Sequence, residues 1–321
     1  MTRVLVLGAG GFVGRHLVTA LVSEPDFESV ALMRGTAYTL PPGIEIRRAD
    51  ATDAAALGRA LIGIDAVVNC ISGSEAAMVT ATRNLVTAVA SADIGCVVHL
   101  SSMAVYGGAS GLIDEDGPLD GSDNAYARAK IACEAIIAAS ATPTRWVVLR
   151  PGCIHGPGSP QWTERIGRLL RRHRIGDLGA SGDGICNLTF IDDMVRAIVA
   201  ALRQPRANGT FNVSDPNPGS WNSYLTGLGL AIGAVPVTYV SSRWLSAEVK
   251  LLAPALVVAE RILAKTPLRL ALPPAVTPSM ARLWRQEITL DHRRADAVLA
   301  FSRTPPDRAI AAAADWLRTL D

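Results

Sequence analysis

Tyr126 and Lys130 lie four residues apart in the run Asn124-Ala125-Tyr126-Ala127-Arg128-Ala129-Lys130. On a helix this spacing puts the phenol and the ammonium on one face. A nearby ammonium favours phenolate and draws a tyrosine below its ordinary pKa of ~10. The pair can then act as acid and base near neutral pH. The spacing alone arises by chance on many exposed helices, so its weight comes from the rest of the chain.

The N-terminus supplies a second chemical signal. Arg3-Val4-Leu5-Val6-Leu7 reads as a short buried strand, followed by Gly8-Ala9-Gly10-Gly11-Phe12-Val13-Gly14 and an apolar-periodic run from His16 to Val22. Strand, glycine turn and helix start form the context of a dinucleotide site. Gly8 permits the tight turn, Gly11 lets backbone approach a pyrophosphate, and Gly14 lets helix and strand pack closely. Gly10, Phe12 and Val13 complete the cradle, where helix N–H groups can meet the anion.

A third signal is Val97-Val98-His99-Leu100-Ser101-Ser102-Met103-Ala104-Val105-Tyr106-Gly107, a strand that runs into a serine pair. With this segment the chain resembles the extended short-chain dehydrogenase/reductase family, of NAD-dependent epimerase/dehydratase type. The glycine turn matches its Gly-x2-Gly-x2-Gly pattern. Ser-Met-Ala-Val-Tyr-Gly matches its catalytic serine strand, and Tyr126 and Lys130 match its catalytic pair. Leu149-Arg150-Pro151-Gly152 matches the turn that flanks the nicotinamide. Phe190-Ile191-Asp192-Asp193 and Gly209-Thr210-Phe211-Asn212-Val213 match later landmarks, so the resemblance covers residues 1 to about 214.

The resemblance implies a catalytic set of Ser102, Tyr126 and Lys130. Tyr126 would exchange a proton with a carbonyl oxygen that Ser102 holds by a hydrogen bond. Lys130 would lower the Tyr126 pKa and bind the nicotinamide ribose. Ser101 reads as a strand-end spacer. It also implies that Asp50, with Ala51, binds adenine, that Cys70, Ile71 and Ser72 line the cofactor ribose, and that Pro151 and Gly152 flank the nicotinamide. Asn84 matches a family asparagine near the active site and reads equally as a solvated helix residue. His155 stands where the family often has Tyr, with substrate contact or a plain loop role both open. A dimer through paired helices is usual for the family, and the residues themselves say nothing of it.

Cofactor choice is read at the end of the second strand. An NAD site usually carries an acidic residue there for the ribose hydroxyls. Here the strand ends Leu32-Met33-Arg34, with no acidic residue from Ser29 to Ile44. Arg34 suits a 2′-phosphate. The expected cofactor is NADP, with NAD as the alternative.

Composition fits one large domain with a smaller lobe. The 321 residues can bury a full core. A formal charge of +2 without a basic tail gives no footprint for nucleic acid. The opening Met-Thr-Arg-Val-Leu leads straight into a strand, leaving no room for a signal peptide, and the expected location is the cytoplasm. The five cysteines lack Cys-x2-Cys spacing and read as buried thiols, not metal ligands. Cys153, directly after the Arg-Pro-Gly turn, is the one set near the cofactor, with packing its default role. Charges and prolines break the apolar stretch from Leu251 to Val276, so no membrane span is expected.

Alternating strand and helix patterns predict an α/β fold, a Rossmann-type doubly wound parallel sheet with a smaller mixed C-terminal lobe. Strands are expected near 3–7, 28–33, 44–48, 65–70, 95–100 and 145–150. Helices are expected near 11–23, 53–61, 76–91 and 124–140, the last capped by Ser122 or Asp123. Residues 1–155, with a return over about 187–213, would form the dinucleotide domain. Residues 156–186 and 214–321 would form the substrate lobe.

The substrate is expected to be a small, largely apolar carbonyl or alcohol compound. The segment Gly182 to Phe190 lacks the Arg usual in family members that hold nucleotide-sugar diphosphates, and the tail loosely resembles the dihydroflavonol-reductase and hydroxysteroid-dehydrogenase branch. Met103, Trp162 and Leu188 are the candidate walls, with residues 244–272 as cover. Arg165, Arg168, Arg171, Arg172 and Arg174 are expected to share one helix from Arg165 to Arg174 that points its arginines to solvent. Two rivals stay open: a nucleotide-sugar epimerase or dehydratase with transient cofactor reduction, and a non-catalytic NADP-sensing regulator.

Overall fold

The computed structural model describes residues 1–35, 40–122, 124–256, 259 and 274–320. In chain order the first elements are β1 (Thr2–Leu7), α1 (Phe12–Leu21), β2 (Phe27–Met33), β3 (Glu45–Arg48), α2 (Ala54–Ala60), β4 (Ala66–Asn69) and α3 (Glu75–Val89). Next come β5 (Cys96–Leu100), β6 (Gly111–Ile113), α4 (Ala125–Ala138), β7 (Arg145–Pro151), β8 (Cys153–His155) and α5 (Arg165–Arg171). Then follow β9 (Leu188–Phe190), α6 (Ile191–Arg203), β10 (Gly209–Val213), α7 (Trp221–Ala231) and β11 (Ile288–Leu290). The six expected strands and four expected helices of the first half all appear, within a residue or two at each end.

Seven strands form one parallel sheet in the order β10-β7-β5-β4-β1-β2-β3. Alternation along β1 explains why both faces are covered. Val4 and Val6 enter one buried cluster with Leu17 of α1 and Ile198 of α6. Leu5 and Leu7 enter the opposite cluster with Leu57 of α2 and Leu85 of α3. Burying one such side chain fully contributes about 1.5–3 kcal/mol, which makes the register hard to slip.

The strand order reverses between β1 and β4, the place where open α/β sheets bind ligands at the carboxyl ends of their strands. A third large cluster starts at Met103 and gathers Ile166, Leu169, Trp221, Tyr224, Trp284 and Leu317. Two short parallel pairs, β6 with β11 and β8 with β9, brace it. Ser102 therefore stands where the chain leaves the sheet for this second core. No helix among the described residues is long and apolar enough to cross a membrane.

The glycine turn is sterically closed. Gly8 has φ +75°, and a Cβ on it would lie 3.1 Å from the Cys70 carbonyl oxygen across the strand-order reversal. A Cβ on Gly14 would lie 2.3 Å from the Gly8 oxygen and 2.9 Å from the Ala9 Cα, both backbone atoms that cannot swing aside. Gly14→Ala is expected to cost about 1–3 kcal/mol through overpacking and to weaken dinucleotide binding with it. Urea unfolding measures the first effect and cofactor titration the second. A variant as stable as its parent would show that helix and strand can part freely.

Candidate active site

Parallel strands bring their carboxyl ends to one edge, and most of the singled-out residues meet there. Gly8 to Gly14 follow β1, Cys70 and Ile71 follow β4, Ser102 follows β5, and Pro151 and Gly152 close β7. Gly11 is the N-cap of α1 and offers no side chain, so no side chain caps the first-turn N–H groups of that helix. That is the arrangement an anion site at a helix start requires. Asn69 shapes the β4 end: its Oδ1 accepts from Ile71 N at 3.1 Å, and its Nδ2 lies 3.1 Å from His99 Nδ1. Ser72 is exposed beyond it. Gly152 is pinned where a Cβ would lie 2.4 Å from the Asn187 oxygen.

At the ends of β2 and β3, Arg34 Nη1 lies 3.7 Å from Asp50 Oδ2, and Arg34 is 75% exposed. Hydrogen bonds from Thr52 N and Oγ1 hold the Asp50 carboxyl below its usual pKa, with Arg34 adding to them. Arg48, which the sequence gave no reason to single out, is exposed here and donates to the Gly35 oxygen at 2.5 Å. Asn84 lies in this region, away from the serine. Its Nδ2 donates to the oxygens of Ala51 (3.1 Å) and Thr52 (2.9 Å), fixing the loop after Asp50 to α3.

The helix carrying Tyr126 starts one residue later than the expected caps. Asn124 is the N-cap, its Oδ1 accepting from Ala127 N at 2.8 Å, so Ser122 does not cap it. Asp123 lies outside the described residues. Ser102 Oγ accepts from Ala104 N at 3.2 Å and caps the 3-10 turn Met103–Tyr106.

The electrostatics of the pair differ from the expectation. Tyr126 is 39% exposed overall, yet its hydroxyl end is buried. Burial raises its pKa above the usual value, the Ser102 hydroxyl offsets part of that, and the Cys153 thiol adds to the rise. Lys130 does not lower it. The ammonium sits 5.7 Å from the centre of the Tyr126 ring and donates to the Leu100 oxygen at 2.5 Å. Spacing put the two on one face, but burial decides the sign. Lys130 is 3% exposed, and loss of water pulls its own pKa down to about 8, with Cys133, Cys70 and Glu134 pulling the other way.

Cys153 is buried, and loss of water pushes its thiol far up. His155 is no loop residue. It ends β8, is 3% exposed, and packs its ring 5.5 Å from those of Phe190 and Tyr224. Burial lowers its pKa to about 4, so it is neutral at physiological pH. Met103 is buried in the third cluster, and Trp162 and Leu188 pack against it.

Helix α5 ends at Arg171, with Arg172 as its C-cap and Arg174 beyond it, so the five arginines do not share one helix, and they correct the expectation of a solvated face. Arg165 donates to the Ala275 oxygen at 2.6 Å and Arg171 to the Leu317 oxygen at 3.1 Å. Arg174 donates to the Pro274 oxygen at 2.7 Å and pairs with Glu248. Only Arg168, paired with Glu164 at 2.5 Å, and Arg172 are exposed as expected. The others bind C-terminal backbone about a hundred residues or more away. Of the proposed cover, residues 257, 258 and 260–272 lie outside the described residues.

Sequence reasoning also passed over Ser101, Glu134 and Arg150 as site residues. Ser101 Oγ donates to Glu134 Oε1, and Arg150 grips the same carboxylate with Nε at 3.0 Å and Nη2 at 2.6 Å. The available signal was Glu134 itself, one further turn along the helix face shared by Tyr126 and Lys130.

Comparison with known proteins bears on the family and the fold. The family model described as NAD dependent epimerase/dehydratase matches residues 4–214. A 2-alkyl-3-oxoalkanoate reductase of Stenotrophomonas maltophilia is 33% identical over 215 residues, 61% of this chain and 63% of that protein, so under two thirds of its length is spanned. A 3-diazoavenalumate denitrifying reductase of a Streptomyces species is 32% identical over 259 residues, 73% of this chain and 83% of that protein. The UDP-glucuronic acid 4-epimerase of Bacillus cereus, solved in complex with NAD, superposes with a TM-score of 0.75 over 99% of both chains. At 19% identity that likeness is one of fold. With its seven-stranded parallel sheet and glycine turn, the chain belongs to the NAD-dependent epimerase/dehydratase family, and is an enzyme of the extended short-chain dehydrogenase/reductase type.

Proposed function

We propose that the chain is an NADP(H)-dependent oxidoreductase that interconverts a small, largely apolar carbonyl compound and its alcohol. The observation carrying this reading is the placement of Ser102 at the end of β5 with Tyr126 and Lys130 on one face of α4, Lys130 donating to the Leu100 oxygen two residues before Ser102. A buried thiol adjoins the proton donor, and three of the five nearby arginines bind backbone oxygens of the C-terminal segment. Binding sites of this apolar kind, with a few placed polar groups, suit small carbonyl compounds. The 2-alkyl-3-oxoalkanoate reductase similarity points the same way.

The dinucleotide fits the residues present. The closed cradle of Gly8 and Gly14 and the uncapped start of α1 suit a pyrophosphate. Cys70, Ile71 and Ser72 would line its ribose, Ala51 its adenine side, and Pro151 and Gly152 its nicotinamide. When bound, the cofactor supplies or accepts the hydride. Tyr126 donates its phenolic proton to the carbonyl oxygen, while Ser102 hydrogen-bonds that oxygen as charge builds on it. Lys130, held at Leu100 in this structure, would turn its N–H groups to the ribose. We assign residues 1–155 and the return over about 187–213 to dinucleotide binding, and residues 156–186 and 214–321, with the third cluster, to the substrate.

Arg34 reads the 2′-phosphate in this proposal, with Arg48 close by. Arg34→Ala is expected to weaken NADPH binding roughly ten- to hundredfold, the worth of one charge-assisted contact, and to leave NADH binding nearly unchanged. Fluorescence titration of both cofactors checks this. Equal losses would return the site to NAD. The wider test is a screen of alkyl and aryl ketones and aldehydes with NADPH, beside UDP-glucose as the rival arm. Net oxidation of NADPH by a carbonyl compound supports the proposal. Conversion of UDP-glucose without net oxidation would replace it with the epimerase reading.

A further inference from the structure

Below the candidate site, three segments that are distant in sequence converge on one carboxylate. Glu134 is 8% exposed and lies one turn beyond Lys130 on α4. It accepts from Ser101, the residue before Ser102, and from two nitrogens of Arg150, the residue before Pro151. Arg150 extends the contact: its Nη1 donates to the Tyr106 hydroxyl at 2.9 Å and to the Glu115 oxygen at 2.8 Å. Tyr106 lies four residues after Ser102, so Ser102 is flanked on both sides by residues tied to this ion pair.

We infer that Glu134 is a positioning residue that holds Ser102 and Tyr126 in place relative to each other by clamping the β5 end, α4 and the β7 end into one unit. This deepens the reading above and rests on it, since it gives Ser102 and Tyr126 a shared task. Replacing such a pair by apolar side chains often leaves stability intact, whereas leaving one buried charge unpaired is costly. The stability of the fold therefore does not by itself require this pair. What it supplies here is geometry: Ser101 reads the position of Glu134 directly, and Tyr126 is carried on the same helix two turns earlier.

Burial makes the pair costly to test by single charge removal, so two gentler variants are used. Ser101→Ala deletes one hydrogen bond and leaves the Glu134–Arg150 pair. The double variant Glu134→Gln/Arg150→Met removes both charges together. The readout is the fluorine NMR signal of Tyr126 in full-length protein grown with 3-fluorotyrosine, identified by its loss in Tyr126→Phe. The chain has five tyrosines, and Tyr239, 68% exposed, serves as the internal reference. The groups facing the Tyr126 hydroxyl are Ser102 and Cys153, with Lys130 beside its ring; those facing Glu134 are Arg150, Ser101, Lys130 and Cys133.

Loosening Ser102 weakens the influence by which its hydroxyl lowers the Tyr126 pKa. The Tyr126 titration midpoint is expected to rise by about half a pH unit or more in both variants, with Tyr239 unmoved and NADPH affinity kept. An unchanged Tyr126 signal in both would overturn the inference, because the clamp would then not reach the hydroxyl. Loss of NADPH binding together with a shifted Tyr239 signal would overturn it too, assigning Glu134 to the general fold. Neither result touches the carbonyl screen, so the proposed function stands or falls separately.

Discussion

Tyr126→Phe is expected to reduce turnover by about 10²–10⁴-fold, the usual worth of a general acid, with NADPH affinity nearly intact. The change deletes one hydroxyl at the end of a ring that is 39% exposed, so little packing is lost. Direction matters here. Because burial holds the phenol protonated at neutral pH, Tyr126 is ready to donate and not to accept. Reduction of the carbonyl should then run readily near neutrality, and alcohol oxidation should speed up as pH rises. The Ser102 hydroxyl lowers the Tyr126 pKa, so Ser102→Ala is expected to push that oxidative rise to still higher pH. A Tyr126→Phe enzyme keeping more than about a tenth of the parent rate would remove Tyr126 from the proton-transfer role. Stopped-flow or steady-state loss of NADPH absorbance makes the comparison.

Why was so much of the fold legible? Buried parallel strands are continuous apolar runs, and Val4 to Leu7 or Cys96 to Leu100 admit few other readings. β6, β8, β9 and β11 were not legible, because three residues are too few for any period to show. The α4 cap was ambiguous because Ser122, Asp123 and Asn124 are all competent caps, and only the backbone decides among them. The site divides in the same way. Tyr126, Lys130 and the glycine turn carry local spacing and could be named from sequence. The Ser101, Glu134 and Arg150 contacts join segments separated by 33 and 16 positions, and no periodicity reports them. The arginines of α5 mislead for the related reason that a charged helix face looks solvated whether its partner is water or a distant backbone oxygen. Burial is the quantity that sequence conveyed least: it reversed the expected pKa shift of Tyr126 and set that of Lys130.

Lys130→Met should separate function from stability more sharply than any other single change. The folded protein holds this lysine at a pKa of about 8, down from 10.5, chiefly because burial strips water from the ammonium. The charged form is therefore penalised in the fold at neutral pH, on the order of 3 kcal/mol. That penalty is fully present below about pH 8 and is relieved as pH rises toward 10.5, because the folded chain releases the proton first. Its hydrogen bond to the Leu100 oxygen returns part of the cost. Methionine fills the same space without a charge, so the variant is expected to be no less stable than its parent at neutral pH. Activity should respond in the opposite sense. If the ammonium binds the ribose, the NADPH affinity of the parent weakens as pH climbs through about 8, and the variant shows weaker affinity with no such step. Turnover should drop by roughly 10²-fold with the loss of a placed charge. Urea unfolding and cofactor titration across pH give both curves. A Lys130→Met chain that unfolds readily, or one whose NADPH affinity still breaks near pH 8, would show that Lys130 serves the core and not the cofactor. A buried charge that costs stability is retained where function requires it, and in the proposed reaction that requirement is the ribose and the proton donor beside it.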